Sequence, residues 1–175
     1  MKSYAVPALL ALAMIFASCS KDELDTPFYT AANGTSKALT EYEKAGLVTL
    51  LETQKMHRDV YTWMNTQAEY PVFSDLLACD CQLMEKLSIT VDKDGLHNPT
   101  VGKEAGEFED SYIQSRYNDI IRSTEGGIAS MFTAAKAMEA AMIVEVREHQ
   151  NALSGNADNG LVYADLIVQS ENQLI

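Results

Sequence analysis

Apolar residues recur at spacings of three and four along four long stretches of this 175-residue chain. Such spacing places the apolar side chains on one face of an α-helix, and no stretch shows the alternation typical of a half-buried strand. The sequence therefore predicts an all-α fold in which four main helices form a bundle. A short extra helix is expected in the connection between the second and third long helices.

The predicted helices begin and end at sequence signals. Thr40 and Glu43 fit a capping box at the start of the first helix, and Pro71 interrupts the chain after it. Ser74 is expected to cap the second helix, and a loop with Asp94-Gly95 follows that helix. The predicted helices cover Thr40–Gln67, Ser74–Ile89, Glu109–Ser123, Ile128–Asn151 and Gly160–Leu174.

Residues 1–19 are typical of a lipoprotein export signal. Lys2 provides a positive start, an apolar run extends from Ala5 to Ala17, and small residues precede Cys19. The run is too short to span a bilayer comfortably, since a spanning helix needs about 20 residues. We therefore expect a signal peptide at 1–18, acyl chains on Cys19, a flexible tether at 19–39 and the helical domain at 40–175. An ordinary secretory signal with an incidental cysteine is the alternative.

The residues behind Cys19 indicate a cell-surface location. Ser20-Lys21-Asp22-Glu23 resembles the lysine-plus-acidic pattern that one phylum of Gram-negative bacteria places behind the lipid-bearing cysteine of surface-displayed lipoproteins. The prediction is an outer-membrane lipoprotein on the cell surface, joined to the membrane through its lipid. A protein partner or a second copy of the chain could bind through the helix faces.

The charge of the chain excludes one large class of partners. The chain has 13 basic and 25 acidic residues, and removal of the signal takes only Lys2, which leaves 12 against 25 and a net charge of −13. This excludes nucleic-acid binding by the usual basic surface and argues against adhesion to anionic lipid by charge. Cys79 and Cys81 are two residues apart on one helix and point to different faces, so we expect free thiols.

Each main helix carries polar residues on its predicted apolar face. The apolar residues of each face form a stripe along the helix. We predict one core residue on each of the four stripes, namely Leu50, Leu76, Phe132 and Leu166. Along the same stripes lie the polar residues Gln54, His57, Arg58, Asp80, Glu139, Asp165, Gln169 and Gln173. Because a buried, unpaired charge costs several kcal/mol, we expect these groups to meet in a shared polar centre.

Two interpretations of the polar centre follow. Helical bundles that bind two metals use a Glu from each of two helices and a Glu-x-x-His pair from each of the others. This chain contains no Glu-x-x-His, and of its three histidines only His57 is placed to face the centre. The leading expectation is therefore a buried ion-pair network without a cofactor, in which Arg58 or Lys55 neutralises Asp80 and Glu139.

Several segments, in order, resemble one protein family. They are Lys55–Tyr61, Pro71–Leu76, Asn98-Pro99, Gly106–Phe108, Tyr117–Ile120, Val162-Tyr163, Leu166 and Ser170–Leu174. The chain resembles the ferritin-like family called domain of unknown function 2202, whose first helix carries the pattern E-E-K-L-A-R-D-V-Y. The resemblance implies a ferritin-like four-helix bundle and points to the ligand places of a metal centre.

The chain departs from the family pattern at most of those ligand places. Thr53 and Gln54 occupy the positions where the family has paired glutamates. Further along the chain, Asp80 replaces a Glu, and Leu83 and Gln173 each replace a His. Glu139 retains the first Glu of another pair. The resemblance therefore implies a divergent member that lacks most metal ligands. It favours a binding or structural role at the cell surface over catalysis, although the enzyme class stays open.

Two rival functions use metals. In the first, a metal-dependent oxidoreductase or metal-binding protein holds iron or manganese at a non-standard site of Glu52, His57, Asp80 and Glu139. His57 would then compensate for the histidine missing at Leu83. In the second, a surface protein sequesters metal through scattered acidic groups and the two thiols.

Overall fold

The computed structural model describes residues 38–151 and 157–173. Within them the chain forms five α-helices: α1 (Glu41–Gln67), α2 (Pro71–Lys93), α3 (Ser111–Ser123), α4 (Ile128–Asn151) and α5 (Ala157–Gln173), with a 3-10 turn at Thr124–Gly126. These residues contain no strand, which confirms the all-α prediction, and the predicted signal, Cys19 and most of the tether lie outside them. None of the described helices is both long and apolar enough to cross a bilayer.

The start of α1 is the capping box that the sequence predicts. The Thr40 hydroxyl accepts a hydrogen bond from the Glu43 backbone N–H at 3.2 Å, and Glu43 Oε2 accepts from the Thr40 backbone N–H at 2.7 Å. Both bonds satisfy N–H groups that have no partner inside the helix. This reciprocal pair fixes where α1 begins.

The start of α2 corrects a predicted boundary. The helix begins at Pro71, upstream of the predicted cap at Ser74. Proline is tolerated in the first turn because an N–H there would have no helical partner and because its φ already suits a helix. The Ser74 hydroxyl instead donates to Asn65 Oδ1 at 3.0 Å. At its other end α2 continues past Ile89 to Lys93.

Two further helix starts differ from the predicted positions. α3 begins at Ser111 rather than Glu109, because the Asp110 carboxylate caps it by accepting from the backbone N–H groups of Tyr112 and Ile113 at 2.7 and 3.2 Å. α5 begins at Ala157 rather than Gly160.

The helices close around a common interior. α1 packs against α2, α3 and α4, while α5 packs against α4 and also contacts α2. One apolar cluster contains Leu47, Leu50, Leu51, Leu83, Leu87, Val91, Met142, Val146, Tyr163 and Leu166. A second contains Val60, Tyr61, Met64, Phe73, Met131, Ala134, Ala135 and Met138. Along α1, α2 and α4 the predicted polar positions fall between residues of the two clusters.

The core predictions hold at two of four positions. Leu50 and Leu166 are fully buried, as predicted. Leu76 is only half-buried, and Phe132 is 37% exposed. The inner face of α4 runs through Met131 and Ala135, so the larger Phe132 side chain lies at the edge. There its ring packs against Tyr70 and Phe73.

Candidate metal centre

Three side chains from three helices meet between the two apolar clusters. His57 comes from α1, Asp80 from α2 and Glu139 from α4, and one ligand-type atom of each lies within 4.8 Å of the others. The three residues are 1%, 1% and 2% exposed. This triad joins one imidazole and two carboxylates in a site closed to solvent, and these residues are three of the four in the predicted alternative metal site.

The His57 ring has one nitrogen in use and one available. Its Nδ1 lies 3.3 Å from Glu139 Oε1. Its Nε2 is buried and has no hydrogen-bond partner among the described residues. Buried polar nitrogens are almost always partnered, so an available Nε2 is the kind of group that a ligand or water occupies.

Glu139 is held by hydroxyl donors. Tyr61 donates to Glu139 Oε1 at 2.7 Å, and the Ser170 hydroxyl on α5 also hydrogen-bonds the carboxylate. Burial acts to raise the pKa of Glu139, but His57 and the two hydroxyls outweigh burial and hold the pKa below its usual value. The site therefore keeps this carboxylate ionised at neutral pH.

Tyr61 remains a neutral donor. Burial, and then the negative charges of Glu139 and Asp80, raise the pKa of the Tyr61 phenol well above its usual value. Because Tyr61 lies four residues after His57 on the same face of α1, both side chains reach the triad. In the sequence, Tyr61 is noted only as the end of the family-like segment Lys55–Tyr61, so its role as a donor is visible only in the structure.

Asp80 is oriented by an amide. Gln54 Nε2 donates to Asp80 Oδ1 at 2.7 Å, and Gln54 is 2% exposed. An amide supplies a hydrogen bond without adding a charge. Gln54 therefore lies buried beside Asp80.

Glu52 does not join the triad, although it belongs to the predicted alternative ligand set. Its Oε1 accepts hydrogen bonds from the backbone N–H groups of Glu109 and Asp110, the second at 3.1 Å. This carboxylate is buried, but it fixes the chain entering α3 to the outer side of α1. The structure thus removes Glu52 from the candidate metal ligands.

Arg58 and Lys55 also differ from their predicted roles. Arg58 Nε and Nη2 donate to Asp59 Oδ1 at 2.9 and 2.6 Å, and Lys55 Nζ donates to Asp59 Oδ2 at 2.6 Å. Asp59 Oδ2 also accepts from the backbone N–H of Gly106 at 2.9 Å. These residues form an Asp59 cluster (Lys55, Arg58, Asp59 and Gly106) that holds the loop before α3. Arg58 and Lys55 therefore pair with Asp59, not with Asp80 or Glu139 as the sequence predicts.

The remaining residues considered in the sequence either lie outside the triad or have side chains outside the described residues. Gln173 ends α5, but its side chain is outside the described residues. Cys79 is half-buried and Cys81 is exposed, and neither of them forms a disulfide. His97 is an exposed loop residue, 2.6 Å from Glu109.

The DUF2202 family, described as an uncharacterized protein domain, matches residues 43–175. The chain belongs to this family. The DUF2202 domain is also similar to the uncharacterized protein MJ0754 of Methanocaldococcus jannaschii, with 21% identity over 136 residues, or 78% of this chain and 73% of the relative.

A solved structure supports the fold of the DUF2202 domain. The crystal structure of hypothetical protein MJ0754 from Methanococcus jannaschii matches with a TM-score of 0.76 and 18% identity, and the match covers 82% of this chain and 81% of that chain. At this level of identity the likeness establishes a shared helical fold alone.

The triad of the DUF2202 domain fits a single metal ion. Ligands at about 2.1 Å from an ion lie at most about 4.2 Å from one another, so a triad within 4.8 Å needs to contract by only a few tenths of an ångström. Nitrogen and carboxylate oxygen are the ligand types that zinc, manganese and ferrous iron accept. His57 has two buried ring nitrogens, of which Nδ1 lies 3.3 Å from Glu139 Oε1 and Nε2 has no hydrogen-bond partner among the described residues.

Proposed function

We propose that this chain is a lipid-anchored cell-envelope protein whose ferritin-like four-helix bundle binds one divalent metal ion at His57, Asp80 and Glu139. The observation that carries the proposal is the meeting of these three ligand types, from three helices, in a site closed to solvent. Ion pairs within a core normally join opposite charges, whereas the triad brings two carboxylates and one imidazole to within 4.8 Å of one another. A divalent cation supplies the charge that this set lacks.

The bundle arrangement is supported by the way the helices pack. α1, α2, α5 and α4 each contact the next and enclose the triad, while α3 covers α1 from outside. Within this interior, Gln54 and Tyr61 hold one oxygen of each carboxylate. These hydrogen bonds orient the ligands before an ion arrives, as partners of metal ligands commonly do.

Burial favours an ion-holding role over turnover of a substrate. A catalytic metal keeps a coordination position that a substrate can reach, and all three residues here are 2% exposed or less. A metal-dependent oxidoreductase with iron or manganese is the rival proposal, and burial of the triad argues against it. Sequestration of metal by the two cysteines has less support, because Cys79 and Cys81 lie outside the triad.

Metal analysis of the purified, detergent-solubilised full chain tests the proposal. We expect one equivalent of a divalent metal, such as zinc, manganese or iron, after growth in supplemented medium. Asp80→Asn and Glu139→Gln should each abolish it, because each replaces a charged ligand by a neutral amide. Asp75→Asn, at an exposed position on α2, is the matched control and should leave metal content unchanged.

A metal-free polar network is the second candidate, with a structural or binding role for the domain. It is favoured by the contacts that the two carboxylates already make within the protein. Glu139 accepts a hydrogen bond from Tyr61 and lies 3.3 Å from His57 Nδ1, and Asp80 accepts a hydrogen bond from Gln54. Absence of metal from the wild-type protein, with no change in its melting temperature on adding zinc, manganese or iron, would support this candidate and overturn the first.

The anchor is proposed from the sequence, with Cys19 as the lipid-bearing residue. Cys19→Ala should release the protein from the detergent-requiring membrane fraction, whereas Cys81→Ala, which removes an exposed thiol, should not. Equal membrane recovery of Cys19→Ala and wild type would refute the anchor. Protease treatment of intact cells tests display on the outer surface, and a fully protected domain would place it in the periplasm.

A further inference from the structure

The uncharged hydrogen-bond donors around the triad bear on whether the site prefers a divalent or a trivalent ion. Gln54, Tyr61 and Ser170 hydrogen-bond the two carboxylates, and each is neutral. They hold Asp80 and Glu139 in place without adding to the charge of the site. Among the triad and these three donors, the charged groups are therefore those of the triad itself.

Charge balance favours a divalent ion. A histidine binds metal in its neutral form, so the triad contributes two negative charges from Asp80 and Glu139. A divalent ion makes the site neutral, whereas a trivalent ion leaves one positive charge in a closed interior. Net charge is strongly disfavoured where water cannot reach it.

Gln54 lies where an additional carboxylate would raise the negative charge of the site from two to three. Its amide lies 2.7 Å from Asp80 Oδ1 and is buried beside the triad. A glutamate has nearly the same size and would place a third carboxylate there. Gln54 is thus a positioning residue for Asp80 that also keeps the site at two negative charges.

We propose that Gln54 makes the centre selective for divalent over trivalent ions, so that bound iron is held in the ferrous state. This inference rests on the proposed metal-binding function. It implies that the site stores or carries a divalent ion and does not cycle it between oxidation states. The nature of the residue at position 54 then decides between a redox-silent and a redox-active centre.

Zinc(II) and gallium(III), the latter supplied as its citrate complex, test the selectivity by calorimetric titration of the full chain. Wild type should bind one zinc and discriminate against gallium, and Gln54→Glu should raise gallium binding relative to zinc by at least about tenfold. Gln67→Glu adds the same charge at an exposed position of α1 and should leave the ratio unchanged. Circular dichroism establishes that each variant is folded.

A redox titration of the iron-loaded protein provides a second readout. Tenfold tighter relative binding of the ferric ion in Gln54→Glu corresponds to a potential lower by about 59 mV. If wild type binds zinc and gallium equally, or if a folded Gln54→Glu shifts neither the ratio nor the potential, this inference fails while the proposed function stands. If wild type binds no zinc, both fail.

Discussion

The two polar clusters on α1 differ in how their charges are balanced. In the Asp59 cluster, one carboxylate accepts hydrogen bonds from Lys55, from Arg58 and from the backbone N–H of Gly106. The triad contains two carboxylates and one imidazole, and Gln54, Tyr61 and Ser170, which donate to the carboxylates, are neutral. Even with His57 protonated, the triad carries more negative than positive charge.

Under the proposed function, this difference separates a structural network from a metal-binding site. The Asp59 cluster uses cations of the chain itself to attach the loop before α3 to α1, and Lys55 Nζ also donates to the Glu104 carbonyl at 2.8 Å. The triad has no such excess of positive charge among its members. On the proposed function, the same helix contributes to one cluster in which the chain's own cations balance a carboxylate and to one that binds an added cation.

The largest effect is expected from breaking the Asp59 cluster. Asp59→Asn strands the ammonium of Lys55, which is 1% exposed, and loss of one partner of a buried pair costs about 3–5 kcal/mol. Urea unfolding should show this decrease equally with and without a chelator. Asp119→Asn, which removes an exposed partner of Arg122, should cost less than about 1 kcal/mol. A decrease below about 1 kcal/mol for Asp59→Asn would mean that the cluster does not stabilise the fold.

The triad should respond to metal instead. An ion present at 100 times its dissociation constant raises the free energy of unfolding by about 2.7 kcal/mol. This increment should vanish in Asp80→Asn and persist in Asp59→Asn, measured by thermal or urea unfolding of the chelated and the reloaded protein. The same increment in Asp80→Asn would show that the metal binds elsewhere.

A smaller effect is expected from the donors to the triad. Tyr61→Phe removes the hydrogen bond to Glu139 while keeping the ring, and loss of such a partner typically lowers metal affinity by about 10–100-fold. Calorimetric titration with zinc measures this. Tyr112→Phe, at a residue 69% exposed on α3, should leave the affinity unchanged. Unaltered affinity in Tyr61→Phe would argue that Glu139 does not bind the ion through this arrangement.

Local patterns predict much of the fold. The stripes and the Thr40 capping box locate α1, and α4 spans Ile128–Asn151 as predicted. The start of α2 is misplaced because Pro71 can either end a segment or open a helix, and only the packing around it decides. Phe132 is misplaced because a stripe about a third of the helix wide does not define its own edges.

The partners of the polar residues are less predictable. The stripes place His57, Asp80 and Glu139 toward one interior, where the structure brings them together. Arg58 pairs with Asp59, the next residue in the chain, whereas the partners of Glu52 depend on how the loop before α3 folds back onto α1. That contact joins residues far apart in the chain, and no periodicity reports it.

The smallest effect is expected at Arg58, where the sequence alone suggests a large one. If Arg58 neutralised the triad from inside the core, Arg58→Met would strand a buried charge and cost about 3–5 kcal/mol. The structure leaves its side chain 27% exposed, and Asp59 keeps Lys55 and Gly106 when the guanidinium is removed. The expected loss is therefore about 1 kcal/mol, in the range of partly solvated pairs. Urea unfolding measures it, with Arg122→Met as the exposed control, and a loss above about 3 kcal/mol would place Arg58 among the groups that balance the triad.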